Sequence, residues 1–112
     1  MAYAEKFLGQ VRPSAAATPV SIFAPGAGEI VVVKGIHVAN PTGTARTYRI
    51  YHHNTGATYD ATTALYYNVN LAANTSIHLP VFIVMDNSAG NLAVEASAAS
   101  SLTFTAYGVQ TV

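Results

Sequence analysis

Four histidines are the side chains of this sequence best suited to metal binding or acid–base chemistry: His37, His52, His53 and His78. A zinc site needs three or four converging ligands. Neighbouring residues of a strand point to opposite faces, so His52 and His53 cannot both enter one site without a bulge. The chain contains no cysteine to complete such a site. We therefore expect ordinary strand histidines, with no metal and no cofactor.

The residue patterns of common catalytic sites are also missing. The carboxylates are scattered, with no pair spaced for a general acid and base. No serine lies in a Gly-x-Ser-x-Gly elbow, and the turn at 25–28 lacks the helix and lysine of a phosphate loop. The segment 86–90 lacks the terminal bidentate acid of a calcium loop. We expect no catalytic residue and no enzymatic activity.

Tyrosines cluster in the middle third of the chain, at Tyr48, Tyr51, Tyr59, Tyr66 and Tyr67. A tyrosine buries a large ring while keeping a polar tip, which suits protein interfaces and sugar-stacking sites. We expect about half of these rings to fill the core.

The longest β-forming run is Glu29–Asn40, which lies between turn signals at 25–28 and 40–43. Its branched valines and isoleucines favour an extended backbone. Gly35 predicts a bulge or a close backbone approach in the middle of this strand. The apolar residues that share one face under simple alternation are Ile30, Val32, Ile36 and Val38.

Further short β-forming runs follow at roughly ten-residue spacing. In the run 44–53 we expect Tyr48 and Ile50 to face the core. Pro80 divides the run 75–85 into two strands or kinks one edge strand. In the run 65–71, alternation places four residues on one face: Leu65, Tyr67, Val69 and Leu71.

This pattern of eight or nine short strands without a helix predicts an all-β fold. We expect one domain over residues 1–112, a single antiparallel β-sandwich that is jelly-roll-like. Residues 1–13 form either the first strand or an extended N-terminal arm that packs on a neighbour. They do not show the pattern of a signal peptide, and no apolar run approaches the roughly 20 residues that span a bilayer.

Charge is unusually sparse in this chain. Charged residues make up 9% of the sequence, against about 25% in typical proteins. The formal net charge is zero, so no basic surface indicates nucleic acid or a membrane as a partner. Because 51% of the residues are hydrophobic, we expect burial against other protein, in a homo-oligomer or a larger assembly. The lack of cysteine favours assembly in a reducing cytoplasm.

Four segments carry a resemblance to a known family: Phe7–Gln10, the Pro25–Glu29 turn before the valine-rich strand, Arg46–Ile50 and Ser101–Gly108. In these segments the chain resembles short β-rich virion structural proteins of tailed bacteriophages. That family includes capsid decoration (cement) proteins and tail or fibre accessories.

The resemblance implies a non-enzymatic capsid decoration protein that is assembled in the bacterial host cytoplasm and resides in the virion. Its partners would be the major capsid protein and further copies of itself, with a homotrimer favoured. The residues that we expect to contact partners are Tyr3, Phe7, Leu8, Tyr66 and Tyr67.

Two alternatives remain open. The first is a tail, neck or fibre accessory protein of the virion. The second is a carbohydrate-binding module, in which the Tyr66–Tyr67 strand and the Asn54–Asp60 loop would form a stacking site.

Overall fold

The computed structural model describes residues 2–111, and all regular secondary structure in this range is β-strand. Within the same range there is no helix of the length and apolarity needed to cross a membrane. The eight strands are β1 (Tyr3–Val11), β2 (Val20–Phe23), β3 (Val31–Asn40), β4 (Arg46–His53), β5 (Ala64–Leu71), β6 (Thr75–Met85), β7 (Asn91–Ala96) and β8 (Thr103–Thr111).

These strands form two four-stranded antiparallel sheets. The first sheet has the order β1-β8-β3-β6 and the second has the order β2-β7-β4-β5. This is the strand order of a jelly roll, in which two Greek keys fold into two facing sheets. The predicted β-sandwich is therefore confirmed, and its topology is that of a jelly roll.

A bulge interrupts β3, the strand that lies between β8 and β6. Val33 pairs with Gly108 and Gly35 pairs with the next β8 residue, so Lys34 is the extra residue against β8. The bulge predicted at Gly35 is thus confirmed. It also reverses the alternation, because Val33 before the bulge and Ile36 after it are both fully buried. Simple alternation placed Val32 on the same face as Ile36 and Val38. This prediction was wrong for the first half of the strand, because Val33 is fully buried there and Val32 is only partly buried.

A second bulge lies in β5, where Asn68 has a positive φ of 53°. The pairing with β4 shifts at this point. As a result Leu65 and Tyr67 are exposed, while Tyr66 packs against the core. The expectation that Leu65, Tyr67, Val69 and Leu71 share one face is wrong, because the extra residue shifts the alternation between Tyr67 and Val69.

Two ambiguous segments of the sequence each form one strand. Residues 75–85 are continuous, with Pro80 inside β6. Because β6 is an edge strand, Pro80 can lie there without leaving a ladder hydrogen bond unmade. Residues 3–11 are the first strand and pair with β8. Of the two predicted forms of this segment, a first strand or an extended arm, the structure shows the strand.

The core lies between the two sheets and contains Tyr48 and Ile50, as predicted. The Tyr48 ring meets Phe104 of the first sheet edge-on, with ring centres 6.3 Å apart. Burial raises the pKa of the Tyr48 hydroxyl. The members of this core that are 0% exposed are Val31, Val33, Ile36, Val38, Ile50, Met85, Leu92, Val94, Ala96, Leu102, Phe104 and Ala106.

Asn40, at the end of β3, joins the two sheets through its side chain. It is 1% exposed, and its Nδ2 donates to the carbonyls of Leu71 and Ala72, each at 3.2 Å. Its Oδ1 accepts a hydrogen bond from the backbone N–H of Thr42 at 3.1 Å. Because a buried amide must be hydrogen-bonded, this side chain fixes the turn after β3 against the end of β5.

The packing of β8 on β3 gives a prediction about Gly108. A Cβ at this position would collide with the backbone oxygen of Val32, whereas a Cβ at Gly43 would meet no described atom within 4 Å. We expect Gly108→Ala to lower the free energy of unfolding by about 1–3 kcal/mol, because backbone must move. Gly43→Ala should change it by less than about 0.5 kcal/mol. Urea denaturation measures both, and equal effects would contradict the tight β3–β8 contact.

Candidate interaction surface

The outer faces of the two sheets differ in how far they are covered. On the second sheet, the outward-facing Tyr51, Ala93 and Glu95 are 1%, 0% and 7% exposed. On the first sheet, the outward-facing Phe7 and Phe82 are 59% and 67% exposed. The chain therefore covers the middle strands of one outer face, β4 and β7, and leaves apolar side chains uncovered on the other face.

Loops of the same chain cover the second sheet. The ring of Tyr59, from the loop before β5, packs on Tyr51 with ring centres 6.0 Å apart. In the loop before β2, the backbone N–H of Ala17 donates to the carbonyl of Ala96 at 2.9 Å. Tyr51 consequently lies beneath its own chain, whereas Leu65 and Tyr67 on β5 stay 47% and 46% exposed.

A polar network lies under this cover and is centred on Glu95. The Tyr51 hydroxyl donates to Glu95 Oε1 at 3.0 Å, and an Arg49 nitrogen lies 3.5 Å from Glu95 Oε2. Arg49 Nε also donates to Asn68 Oδ1 at 2.7 Å, and its guanidinium lies 4.1 Å from the centre of the Tyr67 ring. Burial raises the pKa of Tyr51, which keeps its hydroxyl protonated as a donor. We interpret this network as structural, because each polar group has a partner.

Four rings cross the outer face of the first sheet, one on each strand: Phe7, Tyr107, His37 and His78. We call them the aromatic row. The Phe7 and Tyr107 rings meet edge-on with centres 6.0 Å apart, and His37 meets Tyr107 at 5.7 Å and 90°. His37 and His78 are opposite each other in the register of β3 and β6. Their ring centres are 4.5 Å apart.

Further apolar side chains extend this surface around the aromatic row. Tyr3, Phe82 and Val84 are 52%, 67% and 43% exposed. The Nζ atom of Lys34 lies 5.7 Å from the centre of the Phe82 ring. A depression of about 370 Å³ lies beside the row and is lined by Glu5, Lys6, Phe7, Lys34, Tyr107, Gly108 and Val109.

The two histidines of the row are in direct contact. His78 Nδ1 and His37 Nε2 are 2.9 Å apart, so one ring donates a hydrogen bond to the other. The position of His78 depends on Gly35, because a Cβ there would lie 2.8 Å from His78 Cε1. The bulge thus places a residue without a side chain where the His78 ring lies over β3.

The five predicted contact residues occupy different environments. Tyr3 and Phe7 are exposed on the first sheet, beside or within the aromatic row. Leu8 and Tyr66 pack against the core. Tyr67 is 46% exposed, on the second sheet beneath Arg49. Contact of any of them with a partner stays a prediction.

His52 and His53 lie apart from the row, at the end of β4. His53 Nδ1 accepts a hydrogen bond from the backbone N–H of Thr58 at 3.0 Å, within its own loop. His52 Nε2 is buried without a hydrogen-bond partner among the described residues. In residues 2–111, no three or more side chains of His, Cys, Asp or Glu converge as metal ligands.

Sequence reasoning missed part of this surface. Tyr107 could have been identified, since it alternates with the core residues Phe104 and Ala106 in the closing strand. The contact between His37 and His78 depends on the register of β3 with β6, which residue types alone do not specify.

The buried network gives a prediction with a matched control. Tyr51→Phe removes one hydroxyl and leaves Glu95, which is 7% exposed, without that donor. We expect a loss of about 1–3 kcal/mol in the free energy of unfolding. Tyr67→Phe removes the same atom from an exposed ring and should change stability by less than about 0.5 kcal/mol. Chemical denaturation of both variants tests this, and equal losses would contradict the network.

His52 gives a prediction about pH. Burial, with a contribution from His53, lowers its pKa from the ordinary value of 6.5. As pH falls below 6.5, the unfolded chain takes up a proton that the folded chain resists, so folding stability decreases. Between pH 7 and pH 5 we expect His52→Gln to lose less stability than the wild type, measured by urea denaturation at each pH. The same loss in both proteins would contradict this linkage.

No protein-family model and no curated protein sequence matches the chain. Among solved structures, its fold is similar to a chain in the T13 viral particle of infectious bursal disease virus. The TM-score is 0.57, with 12% identity over 96% of this chain. A chain from the Gx strain of that virus also has a TM-score of 0.57, with 15% identity over 97% of this chain. This chain spans about a third of those chains, 30% and 32% of their lengths. At these identities the likeness concerns the fold.

Proposed function

We propose that this chain is a virion structural protein without enzymatic activity, which decorates the capsid of a tailed bacteriophage. The observation that carries the proposal is the uncovered outer face of the first sheet, with Phe7 and Phe82 each more than half exposed. Exposed apolar groups that lie together are typical of protein-binding surfaces. The likeness of the fold to chains of a viral particle supports the same function.

In this proposal the uncovered face binds the major capsid protein. Fully burying one large apolar side chain contributes roughly 1.5–3 kcal/mol. Because Phe7 and Tyr107 are 59% and 45% exposed, covering what remains of the two together supplies roughly 1.5–3 kcal/mol before ordering costs. Glu5, Lys6 and Lys34 line the neighbouring depression and can pair with charges at the rim of the interface. Weak contacts of this size hold firmly when several linked copies bind at once, which is the advantage of a homotrimer that bridges capsid subunits.

The N-terminal residues take part as a strand in this proposal. Leu8 and Val11 pack against the core, while Tyr3 and Phe7 are exposed on the other side of β1. Deleting residues 1–11 would therefore remove an edge strand together with the contact. Single substitutions of exposed side chains separate binding from folding.

The alternatives differ in what supports them. A tail, neck or fibre accessory would use the same uncovered face, and its position in the particle distinguishes it from a decoration protein. The carbohydrate-binding alternative has less support, because Arg49 lies 4.1 Å from the Tyr67 ring centre and Tyr66 packs on the core. Arg49 thus covers one face of the Tyr67 ring while Tyr66 packs on the core, so the two rings do not form a joint stacking surface.

Binding to empty phage capsid shells that lack this protein tests the proposal. Phe7→Ser and Tyr67→Ser change side chains that are 59% and 46% exposed on opposite sheets. We expect Phe7→Ser to weaken binding about five- to twentyfold and Tyr67→Ser to bind as the wild type does. Thermal unfolding checks that both variants are folded.

The outcomes of this experiment separate the candidates. Copies spread over the whole shell in a particle reconstruction support decoration, whereas copies confined to one vertex or to the tail support the accessory. Equal binding by both variants would show that the outer face of the first sheet does not bind the capsid. Wild-type protein that binds neither shells nor tails would overturn the virion proposal.

A further inference from the structure

The contact between His37 and His78 brings two ring nitrogens close enough to bind one metal ion. Their facing nitrogens, Nε2 and Nδ1, are 2.9 Å apart, and the ring planes are inclined at 64°. The ring centres are 4.5 Å apart, closer than two rings would be if they met head-on across that nitrogen distance. At least one ring is therefore tilted away from the line that joins the two nitrogens.

Neighbouring residues hold both rings in place. Tyr107 meets His37 edge-on at 90°, on the side away from His78. Gly35 leaves the space that the His78 ring occupies. Each histidine also lies in a regular strand, opposite the other in register. A site on paired strands is held more precisely than one on loops.

The nitrogen separation, which is that of a hydrogen bond, also fits one class of metal ion with little movement of the rings. With metal–nitrogen bonds of about 2.0–2.1 Å, two ligands at a right angle lie about 2.9 Å apart, whereas two ligands at the tetrahedral angle lie about 3.3 Å apart. The observed 2.9 Å matches the right angle. Right-angle geometry with nitrogen and oxygen ligands is typical of Cu²⁺ and Ni²⁺.

We propose that His37 and His78 form a bidentate site for a divalent transition metal ion, with Cu²⁺ or Ni²⁺ as the ions that fit best. On binding, the donating ring moves its shared proton to its other nitrogen, so that both facing nitrogens offer lone pairs. No third His, Cys, Asp or Glu side chain among residues 2–111 joins the pair. Water, or a side chain of a protein bound on this face, completes the coordination.

The site does not depend on the proposed function, because the isolated chain supplies both ligands. Cu²⁺ titration of purified, chelator-treated protein tests it, with calorimetry for affinity and electron paramagnetic resonance for the ligands. We expect one Cu²⁺ per chain and a spectrum with two bound nitrogens. His37→Gln and His78→Gln should each weaken binding by about tenfold or more, since each removes one of two protein ligands.

Two further variants separate the site from general histidine binding. His53→Gln removes a histidine outside the pair and should leave Cu²⁺ affinity unchanged. Gly35→Ala keeps both ligands but displaces His78, and should weaken binding about tenfold while the protein stays folded by thermal unfolding. If His53→Gln weakens binding as much as His78→Gln, or if the variant lacking both His37 and His78 binds as the wild type does, the site is refuted.

Discussion

The bulge in β3 is the constraint on which the rest of the structure depends. Lys34 adds a residue against β8, so Val33 and Ile36 both face the core although they are three residues apart. Without it, one half of this central strand would turn its branched side chains to the outside. The bulge also places Gly35 beneath His78. The same irregularity therefore completes the core and arranges the outer face.

The two outer faces give the molecule its functional asymmetry. On the second sheet, the buried carboxylate of Glu95 is paired with Arg49 and accepts a hydrogen bond from the Tyr51 hydroxyl, and the Tyr59 ring packs on Tyr51. On the first sheet, Phe7, Tyr107 and Phe82 remain exposed. The chain buries the middle strands of one side and leaves more of its large apolar side chains exposed on the other. In the proposed function, the other side is buried against the capsid.

Much of the fold could be predicted from residue patterns, while the surface could be predicted only in part. Alternation correctly placed Tyr48 and Ile50 in the core, and Gly35 correctly indicated a bulge. Alternation failed at Tyr67 because Asn68 adds a residue to β5. A glycine within a strand predicts a bulge well, because its missing side chain permits the irregular backbone. An asparagine predicts a bulge less well, because asparagine is also common in turns.

The sequence by itself determined the fold class, since short branched runs between turn signals have few other ways to bury their apolar side chains. It also determined that a surface with so few charges would be unusually apolar. The tertiary structure alone decided which apolar residues stay outside and which histidines meet. His37 and His78 are 41 residues apart, and only the antiparallel register of β3 and β6 makes them neighbours. Register depends on the packing of the whole sandwich, so residue types along one strand cannot specify it.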